Sequence, residues 1–133
     1  MRYLLDTNVV SDFVRGHAAV QGRLRSVPPN DVSVSSVTVM EVAYGMALSP
    51  KRARVLRPIV DALLGSIELL PFTVEDGHAA GAVRAALRRR GRPIGPYDAL
   101  LAGCALARGL VFVTGNTDEF ARVTGLLIEN WRD

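Results

Sequence analysis

Four oxygen-bearing side chains recur at comparable places along this chain. Asp6 closes the run Tyr3-Leu4-Leu5-Asp6-Thr7-Asn8, Glu41 falls in Thr38-Val39-Met40-Glu41, and Asp98 falls in Gly95-Pro96-Tyr97-Asp98. Asn116 then follows Val111-Phe112-Val113, with Asp118 two residues on. Carboxylates brought within a few ångströms of one another disfavour joint ionisation and raise each other's pKa, so a shared cleft needs a compensating cation. Mg²⁺ or Mn²⁺ suits oxygen ligands, takes one or two direct carboxylates, and keeps places for water and a substrate phosphate. Such an ion acidifies a water and stabilises charge on phosphoryl oxygens, which is the chemistry of phosphodiester hydrolysis. The metal-free route would want paired histidines. His17 and His78 are the only two, and neither sits in a segment of this kind. Cys104, inside Leu101-Ala102-Gly103-Cys104-Ala105-Leu106, reads as a small buried hydrophobe with no activating partner.

These groups meet only if the intervening elements bring them to one edge. Short apolar runs at Tyr3 to Leu5, Val32 to Ser35, Ile67 to Leu70, Leu110 to Val113 and Leu126 to Ile128 predict buried strands. Helical spacing is expected over Ser11 to Arg25 in one or two pieces, Val37 to Leu48, Lys51 to Leu64, Thr73 to Arg90, Pro96 to Arg108 and a turn near Thr117 to Ala121. Ala79, Ala82, Val83, Ala86 and Leu87 would form the apolar face of the Thr73 helix, with Thr73 and Asp76 as its cap. Gly95 and Pro96 suit the start of the next helix. Strands alternating with helices predict a three-layer α/β fold, a central parallel sheet of about five strands flanked by helices. The segments leaving such strands lie on one edge, the edge where ligands bind.

Each residue has a plainer reading. Asp6 suits a helix cap, and Glu41 a capping box with Thr38. Asp98 suits a helix dipole, and Asn116 an Asx-turn. Those readings do not predict that nearly every crossover on one edge carries such a group.

With 133 residues, 49% apolar and 22% charged, the chain is expected to form a single domain over residues 1–133. A lone cysteine and the lack of a secretory leader pattern point to the cytoplasm, and no apolar run is long enough to cross a membrane. The net charge is +3 and the pI 9.6, with fifteen arginines against one lysine, favouring an anionic partner. Residues 51–92 hold nine basic groups against four acids. There Arg84, Arg88, Arg89, Arg90 and Arg92 read either as phosphate-binding groups or as a solvated helix face. The segment Val37 to Leu48 is apolar almost all round, as is the broad face made by Val55, Leu56, Ile59, Val60, Leu63 and Leu64. Both fit either core or a homodimer interface.

The ordered set Leu4-Leu5-Asp6-Thr7-Asn8, Glu41 in Val39-Met40-Glu41-Val42-Ala43-Tyr44-Gly45, Ile94-Gly95-Pro96-Tyr97-Asp98-Ala99 and Val113-Thr114-Gly115-Asn116-Thr117-Asp118-Glu119-Phe120 resembles PIN-domain proteins of the VapC toxin type. The resemblance spans essentially the whole chain. It implies an endoribonuclease dependent on Mg²⁺ or Mn²⁺, the toxin of a toxin–antitoxin pair, cutting tRNA or ribosomal RNA. It also implies a homodimer and an antitoxin whose tail fills the active-site groove. By that likeness Asp6, Glu41 and Asp98 match the acidic triad. Asn116 departs from the Asp that many relatives carry; neighbouring Asp118 or Glu119 could supply the negative charge instead, with Asp118 the second choice for that place. Asp6 and Asp98 would hold the metal, Glu41 would bind or position its water, and Thr7, Asn8 and Thr114 would orient them. Water attack would leave a 5′-phosphate and a free 3′-hydroxyl. Two other classes fit part of the pattern: another metal-dependent nuclease or phosphatase, and a catalytically silent RNA- or partner-binding module.

Overall fold

The computed structural model describes residues 1–133. Its elements are β1 (Tyr3–Leu5), α1 (Thr7–Val14), α2 (Ala18–Arg25), a 3₁₀ turn (Pro29–Asp31), β2 (Val32–Ser35), α3 (Ser36–Leu48) and α4 (Pro50–Ser66). There follow β3 (Glu68–Leu70), α5 (Val74–Arg89), α6 (Pro96–Arg108), β4 (Val111–Val113), α7 (Thr117–Phe120) and β5 (Ile128–Glu129). All strand pairings are parallel, in the order β3-β2-β1-β4-β5. The chain lays β1, β2 and β3 outward in one direction and then returns for β4 and β5 on the other side. The order therefore reverses between β1 and β4, where Tyr3 pairs Val111 and Leu5 pairs Val113.

Strand alternation divides the interior into two cores. Tyr3 and Leu5 face a cluster with Val9, Val34, Val60 and Trp131, on the side covered by α1, α2 and α4. Leu4 and Phe112 face the opposite cluster with Val83, Leu87, Leu101 and Phe120, on the side covered by α5 and α6. The α/β three-layer arrangement with five parallel strands is thus the one expected, and no helix is long and apolar enough to cross a membrane.

Several local expectations change. Helix α1 starts at Thr7, directly after β1, because the Asp6 carbonyl already accepts the first helical bond from Val9 N–H. The helical stretch breaks near Gly16, whose φ of 89° suits only a residue without a side chain. His17 then caps α2, its Nδ1 accepting from Val20 N–H at 3.4 Å. Ser35 caps α3, accepting from Val37 N–H at 3.0 Å, so Thr38 lies inside the helix and forms no capping box with Glu41.

The apolar face of α5 is also rolled from its expected position. Ala80, Val83 and Leu87 are buried, whereas Ala82 and Ala86 are exposed. Its antiparallel packing on α6 sets that roll. A Cβ placed on Gly103 would stand 2.5 Å from the Ala80 backbone nitrogen, so only glycine permits this approach. At the far end of the pair, Asp76 completes the capping box with Thr73 and forms an ion pair with Arg108. Burial pushes the Asp76 carboxyl up, but the bonds from Arg108 and from Thr73 outweigh it and hold the group below its ordinary value. Arg108 also donates to the Pro71 carbonyl at 3.1 Å. The C-terminal end of α5 consequently lies beside the first turn of α6.

Gly103→Ala should destabilise the fold by about 1–3 kcal/mol, because the nearest atoms are backbone and cannot turn aside. Urea unfolding measures this, and a midpoint equal to wild type would show that the two helices separate freely.

Candidate active site

The residues at the reversal point are built in from both sides of the sheet. Asp6 directly follows β1 and is 3% exposed. It does not cap α1 with its side chain; its Oδ2 accepts a 2.8 Å bond from the Thr114 hydroxyl, on the segment leaving β4. Thr114 in turn accepts from Asn116 N–H at 3.0 Å. One threonine thus joins the ends of the two central strands. Thr7, the first residue of α1, donates to Glu41 Oε1 at 2.8 Å, and its hydroxyl lies 3.0 Å from that of Thr38. Glu41 is therefore drawn from α3 towards the end of β1.

Asp98 occupies the first turn of α6 behind the Gly95 cap. Its carboxyl is pushed up to about 7, by burial first and then by the negative charges of Glu119, Asp6 and Glu41 and a hydrogen bond shared with Glu119. Burial also raises Asp6, more than the bonds from Thr114 and the Thr7 backbone lower it, and Glu41 and Glu119 push in the same upward direction. Glu41 and Glu119 thus act on both aspartates, which places the four acids in one electrostatic neighbourhood.

Glu119, rather than its neighbour Asp118, is the acid of α7 that joins the site. Its Oε1 accepts from Gly95 N–H at 3.4 Å, and its other carboxylate oxygen accepts from the Asn116 side-chain amide. Asn116 makes no side-chain cap; its amide holds Glu119 instead. Asp118 lies on the other side of α7, beside Arg90, Arg92 and Arg122. Adjacent residues of a helix project about 100° apart, so one roll of α7 cannot serve both acids. That roll is set by Phe120, buried edge-on against Phe112 with ring centroids 4.7 Å apart. Burial of Phe120 was the available signal.

Of the remaining expected residues, Thr7 and Thr114 hold acids as described, whereas Asn8 is exposed on α1. Arg84, Arg88 and Arg89 are exposed on the C-terminal half of α5. Beside the acids, Arg132 binds Asp12 through two bonds of 2.6 and 3.2 Å. The Arg132 guanidinium lies over Gly115, where an added Cβ would approach it to 2.9 Å. From Thr7 and Glu41 a groove continues between α1, α3 and α4, lined by Arg15, Met46, Arg52 and Leu56.

The donor set at the reversal point consists of carboxylate oxygens supported by hydroxyls and an amide. No three of the acids stand together in a group that could hold a metal ion. A cation bound by one or two carboxylates, with water completing its shell, suits this arrangement, as Mg²⁺ and Mn²⁺ do; a cation demanding an all-protein cage does not.

Residues 3–126 match the PIN domain family. The chain is 36% identical over 131 residues to the tRNA(fMet)-specific endonuclease VapC of Shigella flexneri, covering 98% of both chains. It is 31% identical over 133 residues to the ribonuclease VapC2 of Rickettsia felis, again covering 98% of each. The structure resembles a chain of the Rickettsia felis VapBC2 complex bound to a promoter DNA fragment, with a TM-score of 0.90, 30% identity, and coverage of 98% of this chain and 99% of that one. It resembles a chain of the DNA-bound VapBC complex of Salmonella typhimurium equally well, with a TM-score of 0.90, 35% identity and 98% coverage of both.

Because Asp98 takes up a proton on folding, its carboxyl disfavours the folded state increasingly as pH rises from about 4 through about 7. Asp98→Asn should therefore stabilise the metal-free protein by about 1 kcal/mol at about pH 8, after solvent screening of a half-buried group, and hardly at about pH 4. Thermal denaturation across that range checks it; equal stabilisation at both ends would remove the electrostatic cause.

Proposed function

Because this chain belongs to the PIN-domain family, and within it to the VapC type, we propose that it is a metal-dependent endoribonuclease, the toxin of a toxin–antitoxin pair acting in the cytoplasm. The observation that carries this reading is the gathering of acids at the sheet's reversal point: buried Asp6 held by Thr114, Glu41 drawn in by Thr7, and Glu119 set against the Gly95 turn that presents Asp98. An anionic cluster of that kind is stabilised by a cation and wasteful without one.

Asp6 and Asp98 would hold Mg²⁺ or Mn²⁺, and the chemistry such an ion supplies when bound is acidification of a water and neutralisation of charge on the phosphoryl oxygens. The chain's own groups do the positioning. Thr114 orients Asp6, Thr7 aims Glu41, and Asn116 secures Glu119. Glu41 is the residue that would orient the attacking water and accept its proton. The water oxygen forms a bond to phosphorus as the bond to the 3′ oxygen breaks, and a proton passes to that oxygen. The products are a 5′-phosphate and a 3′-hydroxyl. Relatives described as tRNA(fMet)-specific make tRNA the first substrate to test.

Asn116 in place of an acid is the feature that favours a silent binding module. Its amide donates to Glu119, however, so the position still serves a carboxylate. Asp118, the other candidate for that place, stands outside the acidic cluster among arginines and has no part in this scheme of catalysis. Exposed Arg84, Arg88 and Arg89 are positioned to attract RNA phosphates near the α6 end of the site. The groove from Glu41 past Arg15, Met46 and Arg52 would receive the antitoxin tail. Met40, Tyr44 and Leu48 form an exposed apolar strip on α3 at helical spacing, which supports a homodimer through this helix.

Purified protein freed of antitoxin should cleave tRNA with Mg²⁺ or Mn²⁺ and lose that activity in chelator. Asp6→Asn and Asp98→Asn should each reduce the rate by roughly a hundredfold or more, and Glu119→Gln by roughly tenfold or more. Gel analysis with end-group mapping reads both rate and product. Cleavage that persists in chelator, or in both aspartate variants, would falsify the mechanism.

A further inference from the structure

Helix α7 separates two oppositely charged places. On one side Glu119 meets Gly95 and Asp98. On the other, an open cleft of about 280 Å³ is lined by Arg90, Arg92, Asp118, Ala121 and Arg122. Three guanidiniums, which remain charged at any ordinary pH, face a single carboxylate there. None of these four charged groups belongs to an ion pair within the chain.

Their hydrogen bonding leaves the cleft equally short of acceptors. Arg90 donates to the Arg122 carbonyl, and Arg122 donates to the Pro93 carbonyl at 3.4 Å. Those bonds steer both side chains without neutralising them. The Nε of Arg122 is buried and has no partner. Three guanidiniums facing one carboxylate, with no ion pair among them, leave the cleft with an excess of positive charge that an acceptor carrying negative charge would offset.

The wall between the two places is shared. Pro93 accepts from Arg122 on the cationic side, and two residues later Gly95 N–H donates to Glu119 on the acidic side. An anion in the cleft and a phosphate at the acids would thus lie across one short loop and one helical turn. A small lone anion has no reason to occupy both, whereas a nucleic acid backbone presents phosphates in series.

Resting on the ribonuclease reading, we infer that the Arg90–Arg92–Arg122 cleft holds a backbone phosphate of the RNA flanking the one cut at the acids. Arg92, which makes no side-chain bond within the chain, is the contact most cleanly removed. Asp118 opposes binding by its charge and tempers the affinity of the cleft.

The test uses the full chain in two forms. Steady-state cleavage of a single-stranded RNA oligonucleotide compares wild type, Arg92→Ala and Asp118→Asn, with thermal denaturation verifying that each is folded. Arg92→Ala should raise KM roughly fivefold while kcat changes less than about twofold, and Asp118→Asn should lower KM. In the Asp98→Asn background, binding of the same RNA and of its DNA counterpart is measured against salt. Adding Arg92→Ala should flatten the slope of log affinity against log salt by about 0.7 for RNA. An unchanged KM and slope, a fall in kcat alone, or a change confined to DNA would overturn the inference. Should wild type cleave no RNA under any condition, the ribonuclease reading falls, while the salt slope still decides whether the cleft binds a phosphate backbone.

Discussion

Carboxylates crowded at the meeting of β1 and β4 repel one another, and much of this structure can be understood as what holds them there. Asp6 is almost wholly buried, and Asp98 is raised to about 7 by burial and by its acidic neighbours. Neither effect favours folding in the absence of a cation. The arrangement persists because three of the four acids are tied to a rigid element through a neutral donor. Thr114 holds Asp6, Thr7 holds Glu41, and Asn116 holds Glu119, while Asp98 sits in a helix's first turn, where the backbone dipole favours negative charge.

Those donors keep their aim only because the layers around them cannot slide. Alternate residues of β1 point into separate cores, so both faces of the central strand are fully packed. On one face, α5 and α6 meet at Gly103 with no room for a side chain, and Asp76 with Arg108 ties the far end of the pair. The ion pair is well compensated: the carboxylate also receives the Thr73 amide, and the guanidinium also reaches Pro71. Replacing water around both charges with such partners is what makes burial of the pair tolerable. A fixed α5–α6 pair in turn fixes the loop that carries Gly95 and presents Asp98.

The same loop gives the charge distribution its sense. Excess arginine lies in the middle of the chain, and the antiparallel packing of α5 on α6 carries its C-terminal portion to the end of the molecule where Asp98 lies. Attraction and chemistry are separated by the width of α7, so the arginines do not neutralise the carboxylates that would bind a cation. Cys104 takes no part; burial pushes its thiol up to about 11, and it serves as packing.

Period and punctuation alone made the alternation of strands and helices legible, because buried strands of three or four apolar residues and helices with capping residues are local patterns. They also made it legible that Asp6, Glu41, Asp98 and Asn116 leave successive elements on one side of a parallel sheet. Which acid of the Asp118-Glu119 pair faces the site was not legible. The answer depends on the roll of a four-residue helix, and that roll follows from Phe120 packing on Phe112, a contact between elements. The same holds for α5, whose buried face was rotated by the demand of Gly103 against Ala80, and for Glu41, whose bond partner proved to be Thr7 on another helix rather than Thr38 in a cap. Local sequence sets what each segment can form; the rotation of a segment and the partner of a side chain are decided when distant surfaces must fill space together.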